Sequence, residues 1–165
     1  MKNFYFILFF MLIAGNILIY KEIFAPHALE VSILEVGKGN SVLIRTPHRK
    51  TLLIDAGPDA SILRALGTTL PEWQRSINAI VLTSTKANFV GGLPEIMSHY
   101  RVPTPIRFGN VVPYGTRLAL DDVHIEIISP ATLAISYGAT SLSISSTTPL
   151  GIFISDGKTI TKTTQ

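Results

Sequence analysis

An almost unbroken apolar run from Phe4 to Tyr20, FYFILFFMLIAGNILIY, constrains this chain more than any other feature. Asn16 is its only strongly polar side chain. As a helix rising about 1.5 Å per residue, the run spans roughly 25 Å, close to the lower limit for a bilayer core of about 30 Å. Ile23 and Phe24 extend it past Lys21 and Glu22, whose long side chains can reach the interface. An uncleaved anchor is the expectation for residues 1–25. A cleaved signal and a buried soluble helix are the alternatives. Neither Ala25 nor Ala28 has a small residue two places before it, so the cleavage pattern is poor. Lys2 precedes the helix and favours a cytoplasmic N-terminus, with residues 26–165 forming one extracytoplasmic domain. Residues 4–24 would then make the contact with the membrane.

The mean hydropathy of +0.38 partly reflects that run. The remaining domain is long enough for a hydrophobic core. Cysteine is absent, which excludes disulfides, thiolate metal sites and a cysteine nucleophile. The isoelectric point is about 9.3, but without Lys2, Lys21 and Glu22 the charge balance is only +2. No long Lys/Arg cluster of the kind expected for a nucleic-acid footprint appears, only Arg49-Lys50 in a turn.

Periodicity divides the domain. Leu29–Val36, Ser41–Thr46 and Lys50–Asp55 read as an antiparallel meander with short turns. Asp59 can cap a helix to about Leu66, ended by Gly67. Ala79–Leu82 reads as a strand, Thr83–Asn88 as a polar loop, and Leu93–Tyr100 as a helix opened by Gly91-Gly92. Trp73 is expected to pack against the sheet edge. Strands are expected at 106–108, 111–112, 117–120, 123–128, 141–145 and 151–155. Asp156-Gly157 marks a hairpin into 159–161. The pattern is α+β, mostly antiparallel.

The ordered motifs Glu35-Val36-Gly37-Lys38-Gly39-Asn40, Ile44-Arg45-Thr46-Pro47, Asp55-Ala56-Gly57-Pro58 and Val81-Leu82-Thr83 are followed by Gly91-Gly92-Leu93-Pro94. This order resembles the metallo-β-lactamase-fold domain attached to the bacterial DNA-uptake channel protein ComEC. The resemblance covers about residues 29–100 well and 117–157 loosely. It implies an αββα fold, here a trimmed sandwich of mostly antiparallel strands, and a link to competence. It also implies a metal motif of the form HxDxDHxGG. At that place the chain reads Ser84-Thr85-Lys86-Ala87-Asn88-Phe89-Val90-Gly91-Gly92, so every ligand is replaced. Catalytic zinc needs roughly three protein ligands and an open position. Phe89 donates nothing, and a Lys86 ammonium repels a cation. Asp156 matches the family's metal-bridging aspartate in position, but reads as the first residue of an Asp-Gly turn. His27, His48, His99 and His124 share no spacing suited to one metal.

The expectation is a pseudoenzyme with no catalytic residues, no metal and no cofactor: a membrane-anchored binding or scaffold module with an envelope or DNA-uptake partner. A metal-dependent, nuclease-like hydrolase with atypical ligands is the alternative. A weak nucleic-acid or anion binder is a second, with Ser84, Lys86, Asn88, Gly91 and Gly92 as the vestigial loop at a helix start. A Ser84–Lys86 nucleophile lacks the usual S-x-x-K spacing. Asp55, Gly37, Gly39 and Gly57 are read as structural, with the Asp55 carboxylate accepting amide hydrogen bonds from a neighbouring loop.

Overall fold

The computed structural model describes residues 5–7, 9–16, 28–103, 111–130 and 132–163. Residues 5–7 and 9–16 are helical. Among the described residues, no helix is long and apolar enough to cross a membrane. The rest of the expected anchor, residues 1–4, 8 and 17–25, lies outside the described residues. So do His27 and the strand expected at 106–108.

The first three strands are β1 (Leu29–Ile33), β2 (Val42–Arg45) and β3 (Thr51–Ile54), paired antiparallel in sequence order. Helix α1 (Ser61–Thr69) then carries the chain over to β4 (Ala79–Val81). β4 pairs with β3 in parallel, as a crossover connection permits. Two short helices follow, α2 (Ala87–Val90) and α3 (Leu93–His99). A second sheet is a four-stranded meander of β5 (Arg117–Leu120), β6 (Val123–Ser129), β7 (Thr132–Tyr137) and β8 (Thr140–Ile144). The chain finally returns to the first sheet. β9 (Gly151–Ser155) pairs antiparallel with β1, and β10 (Ile160–Thr163) with β9. The first sheet therefore has the order β10-β9-β1-β2-β3-β4.

Two apolar clusters explain the layering. Leu29, Val31, Val42, Ile44, Leu52, Ile54 and Val81 pack against Val123, Ile125, Ile127, Leu133, Ile135 and Ile144 between the sheets. Leu43, Leu53 and Ile80 point the other way, onto Ile62, Ala65 and Leu66 of α1 and Leu93 and Ile96 of α3. β2 and β3 are thus buried on both faces, which is why VLIR and TLLI read as continuous apolar runs. The second sheet alternates instead. Val123, Ile125 and Ile127 are buried, whereas His124 and Ile128 are exposed and Glu126 is half-buried.

Several expectations need correction. Among the described residues no helix covers the outer face of the second sheet, and their layers run α/β/β. Polar His124, Glu126, Ser141 and Ser143 let that face meet water. α1 does not stop at Gly67 but runs to Thr69. The Leu70 amide donates to Leu66 O (2.7 Å), burial of Leu66 and Leu70 draws the extra turn onto the core, and Pro71 follows. The polar loop at Thr83–Asn88 runs into α2. Residues 111–112 form no strand, although the Val112 amide donates to Leu82 O (3.0 Å). Trp73 does not pack against the sheet edge: it is 73% exposed. β7 was not among the expected strands, although Leu133, Ile135 and Tyr137 alternate as a strand requires.

Candidate functional site: the Asp55 end of the sandwich

Three loops meet at one end of the first sheet: residues 34–41 after β1, 55–60 after β3, and 82–92 after β4. Asp55 joins them. It has a φ of +61°, a left-handed conformation uncommon outside glycine and asparagine-like residues. Its amide donates to Val81 O (2.8 Å), and its carbonyl accepts from Ser41 Oγ (2.8 Å). Its carboxylate accepts twice from Thr83, at Oδ1 from the amide (2.7 Å) and at Oδ2 from the hydroxyl (2.7 Å). Burial raises the Asp55 pKa from 3.8 to about 6, against the two Thr83 hydrogen bonds that pull it down.

The motif loop is bound onto this centre by backbone. Ala56 N donates to Phe89 O (2.6 Å), and Gly92 N donates to Gly57 O (3.1 Å). A Cβ at Gly91 would collide with Pro58 O, one at Gly92 with Ala56 O, and one at Gly39 with Pro58 and Asn88 O. Only glycine permits chains to approach so closely. Gly57 has a φ of +71° beside Val36. Gly37 also has a positive φ, of +68°, but has open space around its Cβ position.

Ser84, Lys86, Asn88, Gly91 and Gly92 lie in the loop beside Asp55 and do not line the adjoining cleft. Ser84 Oγ accepts from Lys86 N (3.3 Å). Lys86 is exposed and precedes α2, Asn88 is half-buried, and Phe89 is buried. Gly91 N donates to Ala87 O (2.8 Å), so the amides of Gly91 and Gly92 both have backbone acceptors. α3 is seven residues long.

A cleft of about 310 Å³ opens on the other side of Asp55, lined by Glu35, Asn40, Ser41, Asp55, Ser145 and Thr148 among others. Sequence reasoning missed Ser145 and Thr148, which lie in a Ser/Thr stretch read only as strand plus turn. Ser145 N donates to Thr148 Oγ1 (2.8 Å), which turns that stretch along the cleft wall. Nothing local announces that β9 returns beside β1 and carries the stretch there.

The donor set does not fit a catalytic metal. Among the described residues, no group of three His, Cys, Asp or Glu side chains could hold a metal ion. His48 Nε2 faces Asp122 Oδ2 at 3.8 Å on the surface. His99 Nδ1 lies 2.7 Å from Ser98 Oγ within α3, and His124 is exposed. Asp156 accepts from the Lys158 and Thr159 amides at 2.8 and 2.7 Å, which hold its carboxyl below the usual range, as an Asp-Gly turn does.

No family model matches the sequence, and no curated protein sequence does. The solved structures that the chain is similar to include metallo-β-lactamases. A Cronobacter sakazakii metallo-β-lactamase with a HARLDQ motif is 16% identical, with a TM-score of 0.47 over 64% of this chain and 52% of that one. The Rm3 metallo-β-lactamase is 16% identical, with a TM-score of 0.47 over 69% of this chain and 59% of that one. A diphosphatase of the PhnP family is 19% identical, with a TM-score of 0.37 over 62% of this chain and 49% of that one. The chain spans about half to three-fifths of the length of these proteins. The activities in their names belong to them.

Proposed function

We propose that this chain is a membrane-anchored, non-catalytic metallo-β-lactamase-like module, related to the ComEC-type DNA-uptake domain and acting as a binding or scaffold element in the envelope. The observation that carries this reading is the state of the Asp55 end. There the one buried carboxylate has both oxygens taken by Thr83, and the motif loop offers a hydroxyl, an ammonium, an amide and a benzyl ring. Such a set cannot supply the roughly three ligands and open position that metal-assisted hydrolysis needs.

The loop reads as a structural part. Phe89 fills space where the resemblance puts a ligand, and its carbonyl holds Ala56. The glycines that let the loop approach are retained because they set backbone distances, which remain necessary after the ligands are gone. The apolar run at Phe4–Tyr20 supports the anchor, with Lys2 favouring an N-terminus in the cytoplasm. The partnership with an envelope or DNA-uptake protein rests on the sequence resemblance.

Elemental analysis of the full chain purified in detergent tests the central claim. The expected result is no stoichiometric zinc or manganese and no chelator-sensitive hydrolysis of phosphodiesters or β-lactams. One equivalent of metal together with turnover abolished by chelator would overturn it.

A further inference from the structure

Trp73 is the only tryptophan in the chain, and the indole is 73% exposed. It lies on a groove of about 870 Å³ on the helix side of the first sheet, away from Asp55. The groove also takes in Ala28, Arg45, Arg49 and Ile154. Ile154 is 37% exposed, so the groove presents two large apolar side chains to its surroundings. Arg45 donates to Glu30 (3.0 Å), a half-buried pair on the groove wall. Arg49 has a φ of +63° at the turn between β2 and β3 and is exposed. Arg75 and Arg101 are exposed on adjoining segments joined by backbone hydrogen bonds, the Arg101 amide donating to Arg75 O (2.9 Å). The acids nearby are Glu30, paired with Arg45, exposed Glu72, and Asp121 and Asp122, which face Lys50 and His48 at the β2–β3 turn. Of the charged residues that line the groove, Arg45 and Arg49 against Glu30 leave a net charge of +1.

Ala28 decides what such a face is for. It is the first described residue after the apolar run, and it lines the same groove as Trp73. Eight residues carry the sequence from Tyr20 to Ala28, a reach of at most about 29 Å fully extended. With a bilayer exit near Tyr20, Ala28 and the groove it lines stay within that reach of the bilayer. Tryptophan prefers the head-group level, where its ring meets acyl chains and its N–H meets water, and arginines nearby attract phosphate-bearing lipids. An exposed indole with an isoleucine and basic neighbours suits that boundary better than bulk water.

We propose that the groove of Ala28, Arg45, Arg49, Trp73 and Ile154 lies on the surface of an anionic bilayer, with Trp73 seated among the head groups. This rests on the membrane-anchor reading above and adds a docking face and a lipid class to it. The domain then does not swing freely on its tether: the groove faces the membrane and the Asp55 end is held in a fixed relation to it.

The lone tryptophan makes the test direct. Full-length protein is reconstituted into phosphatidylcholine–phosphatidylglycerol vesicles, with and without brominated acyl chains, and two properties are read separately. Flotation with vesicles after carbonate washing reports the anchor. Trp73 emission reports the groove. The expected result is flotation, loss of most Trp73 emission in brominated vesicles, and protection from aqueous iodide. Arg49→Glu should float equally and lose much of the bromolipid quenching. Protein that floats while Trp73 is quenched by iodide and not by bromolipid overturns this proposal and leaves the anchor standing. Protein stripped by carbonate overturns the anchor itself. Quenching by a single-stranded oligonucleotide in place of lipid would assign the groove to nucleic acid and overturn the proposal as well.

Discussion

Replacing Asp55 with asparagine separates its charge from its hydrogen bonds. The carboxylate is 2% exposed, and its pKa is about 6 in the folded protein against 3.8 ordinarily. The folded state therefore holds the Asp55 proton to higher pH than the unfolded chain does. The contribution of this group to stability is fully present below about pH 4 and is lost as pH rises through about 6. The difference between the two pKa values corresponds to a loss on the order of 3 kcal/mol. Asp59, Asp121 and Asp156 have lowered pKa values, so their contributions are lost as pH falls below 3.8, outside that window. Asparagine keeps an acceptor for the Thr83 amide, and its NH₂ can donate to the Thr83 hydroxyl, which turns round to accept. It also tolerates the φ of +61°. Asp55→Asn should thus remove the fall between pH 4 and 6 and be as stable as the wild type at pH 7, or more so. Asp55→Ala leaves the Thr83 amide and hydroxyl buried without acceptors, and should lie about 1–3 kcal/mol below Asp55→Asn at every pH. Urea unfolding of the full chain, followed by far-ultraviolet circular dichroism from pH 4 to 8, reads all three proteins; exposed Trp73 is a poor probe of the core. Equal midpoints for Asp55→Asn and Asp55→Ala at pH 7, or a flat wild-type profile between pH 4 and 6, would refute the reasoning.

Other substitutions test the packing. A Cβ at Gly91 would meet Pro58 O, so Gly91→Ala should cost about 3 kcal/mol or more in urea unfolding. Gly67 lies inside α1 with open space around it, so Gly67→Ala should stabilise by about 0.5–1 kcal/mol in the same assay. Asp121 has a φ of +55° and joins the β5–β6 turn to the β2–β3 turn, accepting from Lys50 Nζ (2.6 Å) and Thr46 Oγ1 (2.8 Å). Asp121→Asn retains one acceptor and tolerates that φ; Asp121→Ala should be less stable than Asp121→Asn by about 1 kcal/mol, the Lys50 pair being half-exposed and screened by salt.

The meander of β1 to β3 was legible because its signals are local: short apolar runs of strand length with turn residues between them. The same holds for the Asp156-Gly157 hairpin, where the turn chemistry lies within two residues. The side chains at positions 84, 86, 88 and 89 were legible too, because they are read directly from the sequence. Other features depended on partners distant in sequence. Gly67 looked like a helix end until Leu70 had a core to enter, and Trp73 looked set to pack against the sheet edge but stands 73% exposed. The place of β9 beside β1 joins residues more than a hundred apart, and no local pattern encodes that pairing. The sequence by itself determined most of the elements, though not β7, α2 or the want of a strand at 111–112, and the side chains available at the 84–92 loop, since these follow from side-chain identity and short-range periodicity. Only the tertiary structure decided that Asp55 spends both oxygens on Thr83, that Ser145 and Thr148 reach its cleft, and that Trp73 and Ala28 share a groove. Those are distances between segments, fixed by how two sheets and their helices bury apolar surface together.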